Sequence, residues 1–234
     1  MVVAVMQPYF FPYIGYFQLM HAVDTFVFFD DVQYIDRGWV NRNRIPLGGK
    51  AAWLSMPVAH ADRRLAINHR QYLLDPGAKS ILQRIEAAYP RRKEQEESQL
   101  IAELIGFKDP NVAKFNANLL RRIAGSLSIK CDLLNSSEVL GQCSLRGEDR
   151  IIEICKRLGA KKYINSIGGM ALYDSNRFLA AGAELRFINT TCQPSVGPTG
   201  AIHYSIIDTL MRKGLAGTSS MLDDYELVSA HNQQ

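Results

Sequence analysis

What this chain lacks narrows its chemistry. Its four cysteines, Cys131, Cys143, Cys155 and Cys192, show no C-x-x-C spacing, and no histidine stands at zinc-finger distance from them. A zinc site is therefore not indicated, and reduced thiols are expected. No apolar run approaches the ~18 residues that a membrane-spanning helix needs, and the N-terminus opens on strand residues rather than a basic leader with a cleavage site. These features lead us to expect a soluble, cytoplasmic protein. A Walker-type phosphate loop and a recognisable catalytic triad are also missing. Excess charge is small: the formal net charge is +4, and the basic residues are spread along 234 residues rather than gathered in a tail. That balance suits an anionic small molecule and does not call for nucleic acid. The length fits one large α/β domain, residues 1–234, with a helical insertion over residues 76–125.

The informative stretch is Val2 to Arg44. Val2 to Met6 is an apolar, β-branched run, which is how a strand buried on both faces reads. Gln7, Pro8 and Pro12 then break the ladder, because proline has no N–H to donate. A helix is predicted from about Tyr13 to His21, with Ile14, Phe17, Leu19 and Met20 inward and Gly15 permitting a close approach. His21 is read as a packed core histidine. Thr25 to Phe29 reads as the next strand, completing a right-handed crossover of a parallel sheet. The chain then runs straight into Asp30, Asp31, Gln33, Tyr34, Arg37, Trp39, Asn41, Arg42, Asn43 and Arg44.

In open α/β sheets ligands bind beyond the carboxyl ends of the strands, where both the Gln7 to Tyr13 loop and the Asp30 to Arg44 segment begin. A helix starting near Tyr13 would turn its positive dipole end toward that crevice, and Arg37, Arg42 and Arg44 would add forked donors for the same anion. Asp30 and Asp31 can bind a metal, accept sugar hydroxyls, or pair with those arginines.

Farther along, Ala51 to Val58 is strand-like and is expected to join the sheet. The basic loop AHADRRLAINHR holds a short strand at Leu65 to Ile67, and His60 or His69 could do acid or base work only if the loop covers the crevice. Pro76 to Gly125 carries three helical repeats of apolar residues, with Asp109 and Pro110 marking a helix start and RRKEQEE an exposed charged run. Ile129 to Leu134 is a strand followed by Asn135, Ser136 and Ser137. Gly147 to Leu158 is an amphipathic helix with Glu148, Asp149 and Arg150 among its outward residues and Gly159 as its C-terminal cap. Lys162 to Asn165 is a strand, and Ser166, Ile167, Gly168 and Gly169 form a turn into a helix near Met170, with Tyr173 and Asp174 offering polar groups. Gly182 to Ile188 is the last strand. A helix capped near Ser205 follows, with His203, Tyr204 and Asp208 near its first turns, where some of them could face the crevice. The tail Gly217 to Gln234 is read as a short helix and frayed end, and His231 is given no role.

The segments MQPYFFPYIGYFQLM, VDTFVFFDDVQY and RGWVNRNRI resemble the opening of the WbqC-like protein family, which is associated with bacterial O-antigen and other surface-polysaccharide gene clusters. Weaker similarity continues through YINSIGGMALYD and HYSIIDTLMRKG. The resemblance implies a part in glycan assembly without supplying an established reaction. A fainter similarity in the order strand, F-x-P, glycine, helix, strand points to the nucleotidyltransferase superfamily, where a histidine pair beside the glycine binds triphosphate. Here Tyr13, Ile14 and Tyr16 surround Gly15 instead.

The expected fold is α/β, a mostly parallel Rossmann-like sheet flanked by helices. The expected function is a transferase or ligase of surface-glycan biosynthesis acting on a nucleotide-linked amino sugar, with attachment of an acyl or aminoacyl group. The alternative is a non-catalytic nucleotide- or sugar-binding or scaffolding protein of such a pathway. Candidate catalytic residues are Asp30, Asp31 and Arg37. Candidate binding residues are Gln7, Tyr9, Trp39, Asn41, Arg42, Asn43, Ser166, Gly168 and Tyr173. The expected ligand is a nucleotide or nucleotide sugar, with Mg²⁺ admitted as its companion, no metal site of the protein's own, and a homodimer left open.

Overall fold

In the computed structural model, residues 1–92, 95–197 and 200–229 are described. Lys93 and Glu94 of the charged run, and His231 with the rest of the HNQQ end, lie outside the described residues.

The chain opens with β1 (Val2–Met6), α1 (Ile14–His21) and β2 (Thr25–Phe28), close to the boundaries expected from periodicity. A hairpin follows, β3 (Arg42–Leu47) and β4 (Lys50–Ser55), then α2 (Leu74–Ala88), α3 (Glu96–Ile105) and α4 (Val112–Ser126). Next come β5 (Asp132–Asn135), the short α5 (Ser136–Leu140), α6 (Gly147–Arg157), β6 (Lys162–Ser166) and α7 (Ser175–Ala180). The last elements are β7 (Glu184–Thr190), the small pair β8 (Ser195–Gly197) and β9 (Gly200–Ile202), α8 (Ile206–Ser219) and β10 (Tyr225–Val228).

The main sheet runs β10-β7-β6-β1-β2-β5, all neighbours parallel except the antiparallel edge strand β10. Counting only sheet strands, this is the 3-2-1-4-5-6 order of doubly wound folds. The chain winds outward from β1 through β2 to β5, then returns to β1's other side and winds through β6 and β7. Both faces are covered. Ala4, Phe26 and Phe28 pack under α1, the α3–α4 layer and α8, while Val3, Val5 and Val27 face Ile151, Ile154 and Phe178 of α6 and α7. Alternate residues of one strand thus enter different cores, which is why the sequence shows unbroken apolar runs there. No helix among the described residues is long and apolar enough to cross a membrane.

Several expectations are corrected. Ala51 to Val58 does not extend the main sheet. It supplies β4, which pairs with β3 in register Arg44↔Trp53 across a two-residue turn. Gly48 and Gly49 in that turn have φ of 58° and 74°, as a type I′ hairpin demands. Leu65 to Ile67 is a single bridge, Gln33 to Ala66, running into a 3₁₀ turn. The helix expected near Met170 is a 3₁₀ turn over Ile167–Leu172, and α7 starts only at Ser175. The fourth helix starts two residues beyond Asp109–Pro110, with the Asn111 side chain accepting from the Lys114 N–H. The tail forms β10 rather than a helix, since buried Gln18 donates to the Met221 and Asp224 carbonyls at 2.8 and 3.0 Å and draws the chain back to the sheet. His21 is exposed, with Nε2 3.3 Å from Asp223.

Candidate functional site

A fold of this order has one place where successive connections leave in opposite directions, between β1 and β6, and there the loops part to form a crevice. The molecule has its cleft there. An inner compartment of ≈ 400 Å³ is lined by Gln7 and Tyr9 after β1, Asn165 and Ser166 at the end of β6, Tyr173, and Glu148 from α6. An outer compartment of ≈ 480 Å³ shares Met6, Tyr9, Ser166 and Gly168 with it and continues to Tyr13, Trp39, Arg44 and His203.

The walls are rigid for identifiable reasons. The Gln7 to Tyr13 loop has lost its strand partners, so its carbonyls need other donors. Tyr16 Oη donates to Gln7 O at 2.9 Å, Asn116 Nδ2 to Pro8 O at 2.7 Å, Asn43 Nδ2 to Phe11 O at 2.8 Å, Ser205 Oγ to Phe11 O at 2.7 Å, and the Ile206 N–H to Pro12 O at 2.8 Å. On the opposite wall, buried Asn165 donates from Nδ2 to the hydroxyls of Tyr163 and Tyr173 at 2.8 and 3.0 Å and accepts the Ser166 N–H at 2.7 Å. Gly15 is required: a Cβ there would lie 2.4 Å from the Tyr13 ring.

The candidate residues divide. Gln7, Tyr9, Ser166, Gly168 and Tyr173 line the inner compartment, and Trp39 and Asn43 line the outer one. Asn43, however, spends its side chain on the Phe10 and Phe11 carbonyls and the Arg44 N–H. Asn41 donates to Met56 O at 3.0 Å. Arg42 is occupied by the Arg37 and Gly38 carbonyls while its guanidinium lies 4.1 Å over the Trp53 ring. Arg37 is an exposed turn residue with φ of 60°.

Asp30 and Asp31 lie in a different corner, beyond the ends of β2 and β5. Asp30 accepts Ser136 Oγ at 3.0 Å, the Ser137 N–H at 3.0 Å and Ser137 Oγ at 2.7 Å, so its carboxylate caps α5 from across the sheet. Asp31 accepts from Ser136 Oγ and forms an ion pair with Arg150. Arg150 is buried, not outward as expected, and also donates to the Cys143 and Leu145 carbonyls. The aspartates therefore meet neither Arg37 nor Arg42. His60 and His69 are exposed and line neither compartment. Among the described residues no group of three or more His, Cys, Asp or Glu side chains is arranged to hold a metal ion.

Arg44, expected among the anion donors, and His203, expected near the first turns of the last helix, also reach the cleft. His203 stands with its ring 5.2 Å from that of Tyr13, and burial lowers its pKa below the usual imidazole value. Burial raises the pKa of Tyr9, with Tyr13 and Tyr173 adding to the effect, and burial likewise raises Tyr173, so both phenols are neutral donors at neutral pH. Arg44 makes no ion pair or side-chain hydrogen bond among the described residues, and its Nε is buried without a partner. Its guanidinium lies 5.4 Å from the Trp39 ring and 5.3 Å from the Trp53 ring. The Gly48-Gly49 pair between two runs is a hairpin signal that puts Arg44 and Trp53 opposite each other.

A model of the WbqC-like protein family matches residues 7–220. The chain is also similar to the uncharacterized protein Rv1507c of Mycobacterium tuberculosis, 28% identical over 180 residues, which is 75% of this chain and 77% of that protein. No solved structure matches.

Proposed function

The chain belongs to the WbqC-like protein family, and from that premise we propose that it is a transferase or ligase of bacterial surface-glycan (O-antigen type) biosynthesis, acting on a nucleotide-linked amino sugar to attach an acyl or aminoacyl group. The observation that carries this reading is the two-compartment cleft at the β1–β6 switch point, whose inner wall presents Gln7, Tyr9, Asn165, Ser166 and Tyr173. Convergent amide and hydroxyl groups on a rigid frame are what a polyhydroxylated ring needs for recognition. Arg44 supplies a forked cation for a phosphate. In this reading Asp30 and Asp31 hold the scaffold rather than the substrate.

The pairing of both aspartates within the chain also favours a second reading, a non-catalytic nucleotide-sugar-binding or scaffolding protein of the same pathway. Thermal shift with a panel of nucleotides and nucleotide sugars, with and without Mg²⁺, tests binding. A ligand at 100 times its Kd stabilises by roughly 2.7 kcal/mol, a readily visible shift. Mass analysis of the bound nucleotide sugar after incubation with acyl donors and ATP then separates the readings, since only the enzyme changes its mass. If no member of the panel moves the Tm, the donor-binding idea fails.

A further inference from the structure

The two compartments differ in charge. Glu148 is the charged residue of the inner lining, and no lysine, arginine or histidine lines it. The positive end of α6 reaches that compartment, but Glu148 in its first turn already answers it. Glu148 is in turn bound by the Asp174 N–H at 2.6 Å and by Arg177. A phosphate placed there would find no cation and would desolvate beside a carboxylate. The outer compartment is the reverse. Arg44 enters it without a counter-charge, and α1 begins there, its N-cap Tyr13 making no side-chain capping bond. An anion in the outer compartment meets a guanidinium and a helix N-terminus together.

Beyond Arg44 lies an aromatic shelf. Trp39 and Trp53 are exposed, with ring centroids 5.7 Å apart and planes tilted by 36°. Register explains the cluster: Arg44 and Trp53 face each other across the hairpin, and Arg42, two residues earlier on β3, shares their face. Exposing two indoles is unfavourable unless something covers them, and their continuity with Arg44 and the cleft says what does.

We infer that the cleft binds its nucleotide sugar in one orientation: the sugar ring in the inner compartment, the diphosphate at Arg44, and the nucleobase stacked on the Trp39–Trp53 shelf. This rests on the reading under Proposed function and adds the direction of the ligand to it. A flat base can slide onto an indole face, while the diphosphate spans the gap between the shelf and the inner polar wall.

The chain contains two tryptophans, so intrinsic indole fluorescence reports on this shelf alone. The test is a titration of the protein with nucleoside diphosphates of each common base and with inorganic pyrophosphate, reading indole emission and Tm together. At least one nucleoside diphosphate is expected to quench emission saturably while raising the Tm. Pyrophosphate is expected to raise the Tm with much less quenching. Arg44→Gln is expected to weaken nucleotide binding 10-fold or more while keeping the wild-type Tm without ligand, because the backbone N–H and carbonyl of Arg44 hold the hairpin through Asn43 and Ser205 independently of its side chain. Trp53→Phe is expected to remove part of the quench and weaken binding.

A nucleotide or nucleotide sugar that raises the Tm, leaves emission unchanged and ignores Arg44→Gln would overturn the orientation and leave the nucleotide-sugar reading standing. No Tm response to any nucleotide or nucleotide sugar would overturn both. An emission change that grows with protein concentration alone, without ligand, would show two copies meeting at the shelf and would also overturn the orientation.

Discussion

The aspartate corner and the arginine shelf began alike, as charged residues in the one segment that follows β2, and they differ in what the rest of the chain brings to them. Asp30 and Asp31 receive Ser136, Ser137 and Arg150 from more than a hundred residues away. Every carboxylate oxygen there has a partner within the chain. Arg44 receives two indoles and, among the described residues, no anion. A group is available for ligand when folding leaves it unfilled, not when it is charged or near a strand end.

The largest effect should come from the closed corner. Removing one partner of a buried pair typically costs about 3–5 kcal/mol because the other charge is stranded. Arg150→Met should therefore lower the urea midpoint sharply, while the protein that stays folded keeps its nucleotide-induced Tm shift. An Asp31→Asn variant of near-native stability that has lost that shift would break the comparison, since Asp31 would then belong to the ligand.

Gly15→Ala sits between the two regions. The added methyl would lie 2.4 Å from the Tyr13 ring, so the ring must leave its place, at a cost of roughly 1–3 kcal/mol for overpacking. Since Tyr13 lines the outer compartment, ligand response should fall along with stability in thermal melts.

The open shelf should show the opposite pattern. Trp53→Phe should change stability by less than about 0.5 kcal/mol, as exposed substitutions do, and its phenotype should appear only in ligand titrations.

The smallest effect is a pH slope. Unfolded, the His203 imidazole takes its proton near the ordinary value of about 6.5; folded, burial depresses that pKa. Protonation therefore favours the unfolded chain, so stability should be level above about 6.5 and decline as the pH falls through it. His203→Gln should flatten that part of the profile in melts recorded from pH 8 to pH 5.

Much of the frame was readable in the residues. The runs Val2–Met6 and Phe26–Phe28 are apolar on every position because both faces of the sheet are covered, and the helices of residues 74–126 announce themselves by their spacing. The cleft followed in part: the Gln7 loop and the Ser166 to Tyr173 turn both leave strand ends and five of the expected residues line its inner half, but Asp30 and Asp31, expected to face the Gln7 loop, line neither compartment. The hairpin is not legible locally because Arg42–Leu47 runs from three polar residues, Arg42, Asn43 and Arg44, into Ile45, Pro46 and Leu47, with no alternation to mark a strand. Arg150 was placed outward because, on α6, an arginine beside acids looks solvated until Asp31 is brought up beneath it. The edge strand β10 depends on Gln18, two hundred residues earlier.

The sequence alone determined a doubly covered parallel sheet, its strand ends and the loops that must meet there, because periodicity and proline or glycine punctuation are local properties. The tertiary structure decided which charges are satisfied. Pairing Asp31 with Arg150, setting His203 beside Tyr13 and leaving Arg44 open are contacts between distant segments, and no local pattern encodes the arrival of a partner.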